Sequence, residues 1–160
     1  MSDNKVNRTI APPIRTIDQV SFPPIEQLTL DNGLSVKILN SGTQEVMKLE
    51  LVVQAGRPFE QKRLASRTTI GLLKEGTAKR SGADLAELLD FYGASLSSPF
   101  SLDTAHLVLY NLTKHSENLL PLFTEIVTTP SFPQKELDAF IQRNQQRLKV
   151  DLSKEDVVSY

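Results

Sequence analysis

Residues 64–77 read Leu-Ala-Ser-Arg-Thr-Thr-Ile-Gly-Leu-Leu-Lys-Glu-Gly-Thr, and the fold is decided by what that stretch becomes. It predicts a helix over residues 64–75, closed by Gly76 in the position after the last turn, where a residue without a Cβ is favoured. A tail with two basic residues, Ala78-Lys79-Arg80-Ser81, follows. Gly71 lies inside the helix. There it costs about 1 kcal/mol relative to Ala, which is tolerable where close packing needs it. The helix carries no pair of metal ligands. Hydrolytic zinc takes three protein ligands and an open fourth position, commonly with two His at i and i+4 on one helical face. The chain has two histidines, His106 and His115, nine positions apart, and no cysteine. A set improvised from both histidines with Glu117 or Asp103 lacks ligand spacing, so the chain is expected to bind no metal.

Upstream of this helix the pattern has period two. Leu28 and Leu30, then Leu34, Val36 and Ile38, flank Asp31-Asn32-Gly33, predicting a β-hairpin whose turn needs positive φ at Asn and Gly. A turn at Asn40-Ser41-Gly42 leads to Met47, Leu49, Leu51 and Val53, which alternate with Lys48, Glu50 and Gln54: a strand with one dry and one wet face. Residues 1–24 are polar and interrupted by Pro12-Pro13 and Pro23-Pro24, which hold the backbone extended. They read as an N-terminal arm, with Ile10, Ile14 and Phe22 as candidate docking residues.

Downstream, Ser81 and Asp84 have capping-box spacing and open a second helix that buries Leu85, Leu88, Leu89 and Tyr92 and ends at Gly93. Strands are predicted over residues 94–101 and 104–112. A third helix runs over residues 114–127, with a kink expected near Pro121. Ser131 and Gln134 cap a fourth, whose apolar face is Leu137, Phe140, Ile141 and Leu148. Ser153 and Asp156 start a further helix close to Tyr160, so residues 25–160 read as one domain truncated at its C-terminal end. The resulting class is α+β, an antiparallel-rich sheet covered on one face by helices.

Composition narrows the function. With 160 residues and 39% hydrophobic content, one core can be buried. A net charge of −1 gives no electrostatic case for nucleic acid or an anionic membrane as main partner. The sequence shows neither an apolar leader after Met1 nor a run of roughly 18 apolar residues, so no membrane insertion is expected and the location is expected to be cytoplasmic. A periplasmic location stays open if a leader was removed. There is no cysteine nucleophile, G-x-S-x-G or phosphate-binding glycine loop to suggest an autonomous enzyme.

The Leu-Asp-Asn-Gly-Leu hairpin (residues 30–34), the Ala55-Gly-x-x-x-Glu60 segment and a helix running into Gly76-Thr77 with basic residues and Ser81 together resemble the insulinase and mitochondrial processing peptidase family, the inverzincins. Aligned from Gly76, the family's H-x-x-E-H helix places Arg67 at the first histidine, Ile70 at the glutamate and Gly71 at the second histidine. The third ligand, a glutamate on a later helix, falls on Gln146 or Arg147. An edge strand that holds substrate by added-strand pairing, with Asn-Ala-x-Thr in its middle, falls on Ser97, Ser98, Pro99 and Phe100, and its motif is absent. Pro99 either removes a donor that such pairing would use or protects an exposed edge.

The resemblance implies a degenerate member with no catalytic, metal-binding or cofactor residues of its own. Such subunits pair with a homologous zinc-bearing subunit as a heterodimer and help clamp peptide or unfolded protein, with zinc held by the partner. The alternative it leaves is a structural or assembly subunit like the core proteins of respiratory complexes. An adjacent reading frame encoding H-x-x-E-H would discriminate the two. Arg67 and Arg147 stand where a metal and its ligand would lie. Either they receive a carboxylate, which guanidinium forks suit, or each is solvated or paired with a local acid.

Overall fold

A computed structural model describes residue 11 and residues 21–154. The chain divides into two compact units, Met1–Thr43 and Gln44–Tyr160. In the first, β1 (Glu26–Thr29) pairs antiparallel with β2 (Ser35–Ile38), Thr29 opposite Ser35. The predicted turn forms with a different division of labour. Gly33 alone takes positive φ, at 84°, while Asn32 keeps an ordinary backbone and its Oδ1 accepts from the Leu34 N–H at 3.0 Å. Asn therefore serves here through its side chain, as an Asx turn. Of the proposed docking residues, Ile10 and Ile14 lie outside the described residues, and Phe22 is 87% exposed.

The second unit holds a three-stranded antiparallel sheet in the order β3 (Val46–Val53), β5 (Ala105–Leu112), β4 (Ser95–Ser97). The antiparallel pairing is as expected, but the described strands form two sheets rather than one. In β3, Met47, Leu49 and Leu51 are half-buried and alternate with exposed residues. Central β5 buries Leu107 and Leu109 almost completely. Those leucines join Leu119, Phe123 and Ile126 of α3 (Ser116–Thr128), Leu85 of α2 (Gly82–Phe91) and Ile70 of α1 (Ala65–Leu72) in one cluster. Helix α3 continues as a helix through the exposed Pro121.

Three expectations need correction. The strand predicted over residues 94–101 stops at Ser97; beyond it only an isolated bridge joins Phe100 to Ala105, and the Pro99 carbonyl accepts from the His106 N–H at 3.0 Å. Proline within the run denies it a second ladder donor. Ser131 does not cap α4 (Gln134–Leu152): Phe132, at φ 46°, turns the chain, and Pro133 occupies the cap. Helix α4 then runs to Leu152 with Ser153 as its C-terminal cap, and the further helix expected after Ser153 lies outside the described residues. The expected apolar face of α4 is covered only at its start. Leu137 and Phe140 are half-buried, whereas Ile141 and Leu148 are exposed. No described helix is long and apolar enough to cross a membrane.

Candidate functional site

Helix α1 lacks a Ser, Thr, Asp or Asn at its N-cap. Leu64 sits there in the left-handed region, and the Glu60 carboxylate supplies the missing acceptors, taking the N–H of Leu64 and of Ser66, each at 3.1 Å. A carboxylate at this end also faces the positive pole of the helix. The last turn tightens to a 3-10 turn at Leu73–Glu75 and stops at Gly76, whose φ of 151° excludes a side chain in practice. A Cβ there would lie 2.7 Å from Ser131 Oγ.

The tail beyond Gly76 is built for structure. The Thr77 hydroxyl donates to Glu125 Oε1 of α3 at 2.6 Å and accepts from the N–H groups of Lys79 and Arg80 at 3.2 and 3.0 Å. Arg80 pairs with the other oxygen of Glu125. These contacts, the Thr77 hydroxyl first and Arg80 second, hold the Glu125 carboxyl below the usual carboxylate range. Ser81 and Asp84 form the predicted capping box, which likewise lowers the Asp84 carboxyl.

The orientation of α1 follows from this anchoring at both ends. Ile70 turns inward, 6% exposed, and joins the core. Arg67 and Gly71, at i and i+4, lie on another face, which Lys74 extends at i+7. That face meets α4, where Phe140, Arg143, Asn144 and Arg147 repeat at helical spacing. The Phe140 ring crosses Gly71 so closely that a Cβ added there would sit 3.1 Å from its Cε2. Gly71 is thus explained by helix approach.

Between the two helices and the end of β4 opens a groove of about 620 Å³, lined by Arg67, Gly71, Lys74, Glu75, Ser98, Phe100, Phe140, Arg143, Asn144 and Arg147. It brings together three of the four degenerate-motif positions, Arg67, Gly71 and Arg147, and two of the four edge-strand positions, Ser98 and Phe100. Ile70, Ser97, Pro99 and Gln146 are not in its wall. Lys74, Phe140, Arg143 and Asn144 belong to the groove without being marked as site residues by the sequence. Their signal was the i, i+3, i+4, i+7 stripe on α4 and the i+7 continuation of α1, visible only once the two helices are known to face each other.

The groove does not fit a metal. Four of its side chains are guanidinium or ammonium groups, which repel a cation and offer it no lone pair, against a single carboxylate, Glu75. Among the described residues no three His, Asp or Glu side chains cluster to hold one. His106 lies on β5, bonded to Glu50 at 2.7 Å and Thr104 at 2.8 Å. His115 packs against Tyr92 with its ring tilted by 56° and centroids 5.2 Å apart. Lys48 first, and His106 next, hold the Glu50 carboxyl low on that face of the sheet.

A second hollow of about 340 Å³ adjoins the groove through shared Lys74 and Glu75 and is lined by Ser95 and Leu96 of β4 and by Leu85, Leu89 and Asp90 of α2. Strand β4 therefore borders the second hollow, and the residues just past it, Ser98 and Phe100, border the first. Among the described strands β4 pairs only with β5, on one edge.

No protein-family model matches the sequence, and no curated protein matches it. Solved structures do. The chain is similar to the crystal structure of a peptidase M16 inactive domain from Pseudomonas fluorescens, with TM-score 0.74 and 22% identity over 81% of this chain and 32% of that one. It is also similar to a protease from Helicobacter pylori, with TM-score 0.64 and 19% identity over 72% of this chain and 28% of that one. The chain thus spans about a third of the length of the structures it matches. What it shares with them at these identities is a peptidase M16-like α+β fold.

Proposed function

We propose that this chain is part of a non-catalytic, insulinase-like peptidase subunit that holds extended peptide for a homologous, zinc-bearing partner. One observation carries the reading. In an M16-like fold, the helix that would bear the zinc ligands carries Arg67, Ile70 and Gly71, yet two adjoining hollows lie beside β4 and the run from Ser98 to Phe100, whose other edge has no partner among the described strands. An extended peptide laid along that edge would gain main-chain hydrogen bonds, with alternate side chains falling into the hollows. The similar Pseudomonas fluorescens structure is of an inactive domain, which supports the non-catalytic half of the reading.

The test is purification of the natural protein from its source under mild conditions. A co-purifying relative with H-x-x-E-H, bound zinc and chelator-sensitive cleavage of unfolded peptide is expected, and activity should fall when this subunit is stripped away. Recovery of the subunit within an assembly that has no peptidase activity would replace this reading with the structural one.

A further inference from the structure

We infer that the groove between α1 and α4 is an anion site that selects acidic peptide segments, in which fixed cations occupy the place of a metal. The inference deepens the proposed peptide-holding role and rests on it. Four cations, Arg67, Lys74, Arg143 and Arg147, line the groove against one carboxylate, Glu75, an excess of three positive charges in a chain whose formal net charge is −1. Among the described residues Arg67, Lys74 and Arg143 have no acidic partner, and Arg147 reaches Asp151 only at 3.7 Å. Lys48 and Arg80, by contrast, are closely paired, with Glu50 at 2.6 Å and with Glu125; what sets the groove apart is that its cations are gathered in one wall.

Like charges gathered at i and i+4, as Arg143 and Arg147 are, weaken a helix slightly, so folding gains nothing from this arrangement. An anion would turn the repulsion into charge-assisted hydrogen bonds, and planar guanidinium forks match carboxylates. The rings of Phe100 and Phe140 in the wall exclude water on one side and strengthen attraction there. A single terminal carboxylate would neutralise one of three excess charges. The groove also reaches Ser98 and Phe100, just past the end of β4, which suits an extended chain, so the ligand is a segment with two or more Asp or Glu side chains. The neighbouring hollow, with Glu75 and Asp90 against Lys74, carries no such excess, which places the acidic residues at the Ser98–Phe100 end.

The experiment is fluorescence anisotropy of the purified protein with labelled, C-terminally amidated nonapeptides, one with Asp and Glu at alternate positions and its Asn/Gln counterpart. The acidic peptide is expected to bind at least about ten-fold tighter at low salt, the preference shrinking as salt screens it. In the Arg67→Gln/Arg143→Gln variant the preference should fall to near one with the melting temperature unchanged, and Arg143→Glu, which reduces the excess of positive charge equally, should lower it to a similar extent. Equal affinity for acidic and neutral peptides would overturn the charge selection and leave the peptide-holding role standing. Binding of neither peptide would overturn both. Displacement by inorganic phosphate at micromolar concentration, or an acidic preference that survives in the double variant, would also overturn the inference.

Discussion

One continuous stretch, residues 64–81, uses its charges in two opposite ways. At its tail, Arg80 has its acid, Glu125 has both a hydroxyl and a guanidinium, and Thr77 satisfies two backbone N–H groups. On its helix, Arg67 and Lys74 face a groove with two more cations and a single carboxylate. A saturated network fixes how elements join. An unsaturated one costs the fold a little and leaves capacity for a ligand. Gly76, Thr77 and Ser81 have packing and capping duties within the fold, while Arg67 and Lys74 have no acidic partner among the described residues.

The largest break expected is Thr77→Val. The substitution nearly preserves shape but removes the hydroxyl from a site 5% exposed, leaving the N–H groups of Lys79 and Arg80 without their acceptor and Glu125 with Arg80 as its remaining donor. Unfolding free energy by urea titration should drop by about 1–3 kcal/mol, the cost of stranding buried polar groups. Arg67→Gln, on the groove side, should change it by less than about 0.5 kcal/mol. Comparable losses at the two sites would mean the groove cations also hold the fold together.

Next comes the acid limb. Glu125 has its carboxyl lowered in the folded state, so it binds fewer protons folded than unfolded. Its stabilising contribution is full above the unfolded pKa and is lost as pH falls through the folded one. From about pH 4.5 downward the wild type should therefore lose stability more steeply than Glu125→Gln. Glu50 and Asp84, lowered by their own partners, are present in both proteins and cancel in the difference. Parallel curves would show that the Thr77–Arg80 corner is not charge-linked to folding.

The same contrast separates what the sequence revealed from what it hid. Local chemistry was legible: the Ser81/Asp84 capping box, the alternation from Met47 to Leu51 and the Gly76 stop each depend on residues a few positions apart. Features set by distant neighbours were not. Ser131 has capping-box spacing, but Phe132 at positive φ hands the cap to Pro133, and Ser131 instead donates its N–H to the Gly76 carbonyl. Glu60 could be noted as part of a motif but not as the cap of α1, because Leu64 reads as an apolar helix start. Arg67 and Arg147 could be marked through the resemblance. Arg143 and Lys74 emerged only when α1 and α4 were seen to face each other across Gly71.

The smallest expected effect tests that facing directly. Gly71→Ala should gain about 1 kcal/mol from helix propensity, since Ala costs less backbone entropy in a helix interior. The new Cβ, however, meets Phe140 Cε2 at 3.1 Å, tighter than an ordinary contact, so the ring or α4 must give by a few tenths of an ångström. Phe140 is half-buried at the groove wall, with open space on one side, and a flexible ring can move at modest cost. The two effects should nearly cancel, leaving stability within about 0.5 kcal/mol of wild type. A gain of the full propensity term would mean that α4 yields freely and that the groove's width is not fixed by this contact. A loss beyond about 1 kcal/mol would mean α1 and α4 are locked at this distance. Glycine would then set the spacing of the four cations and belong to the groove's construction as much as the arginines do.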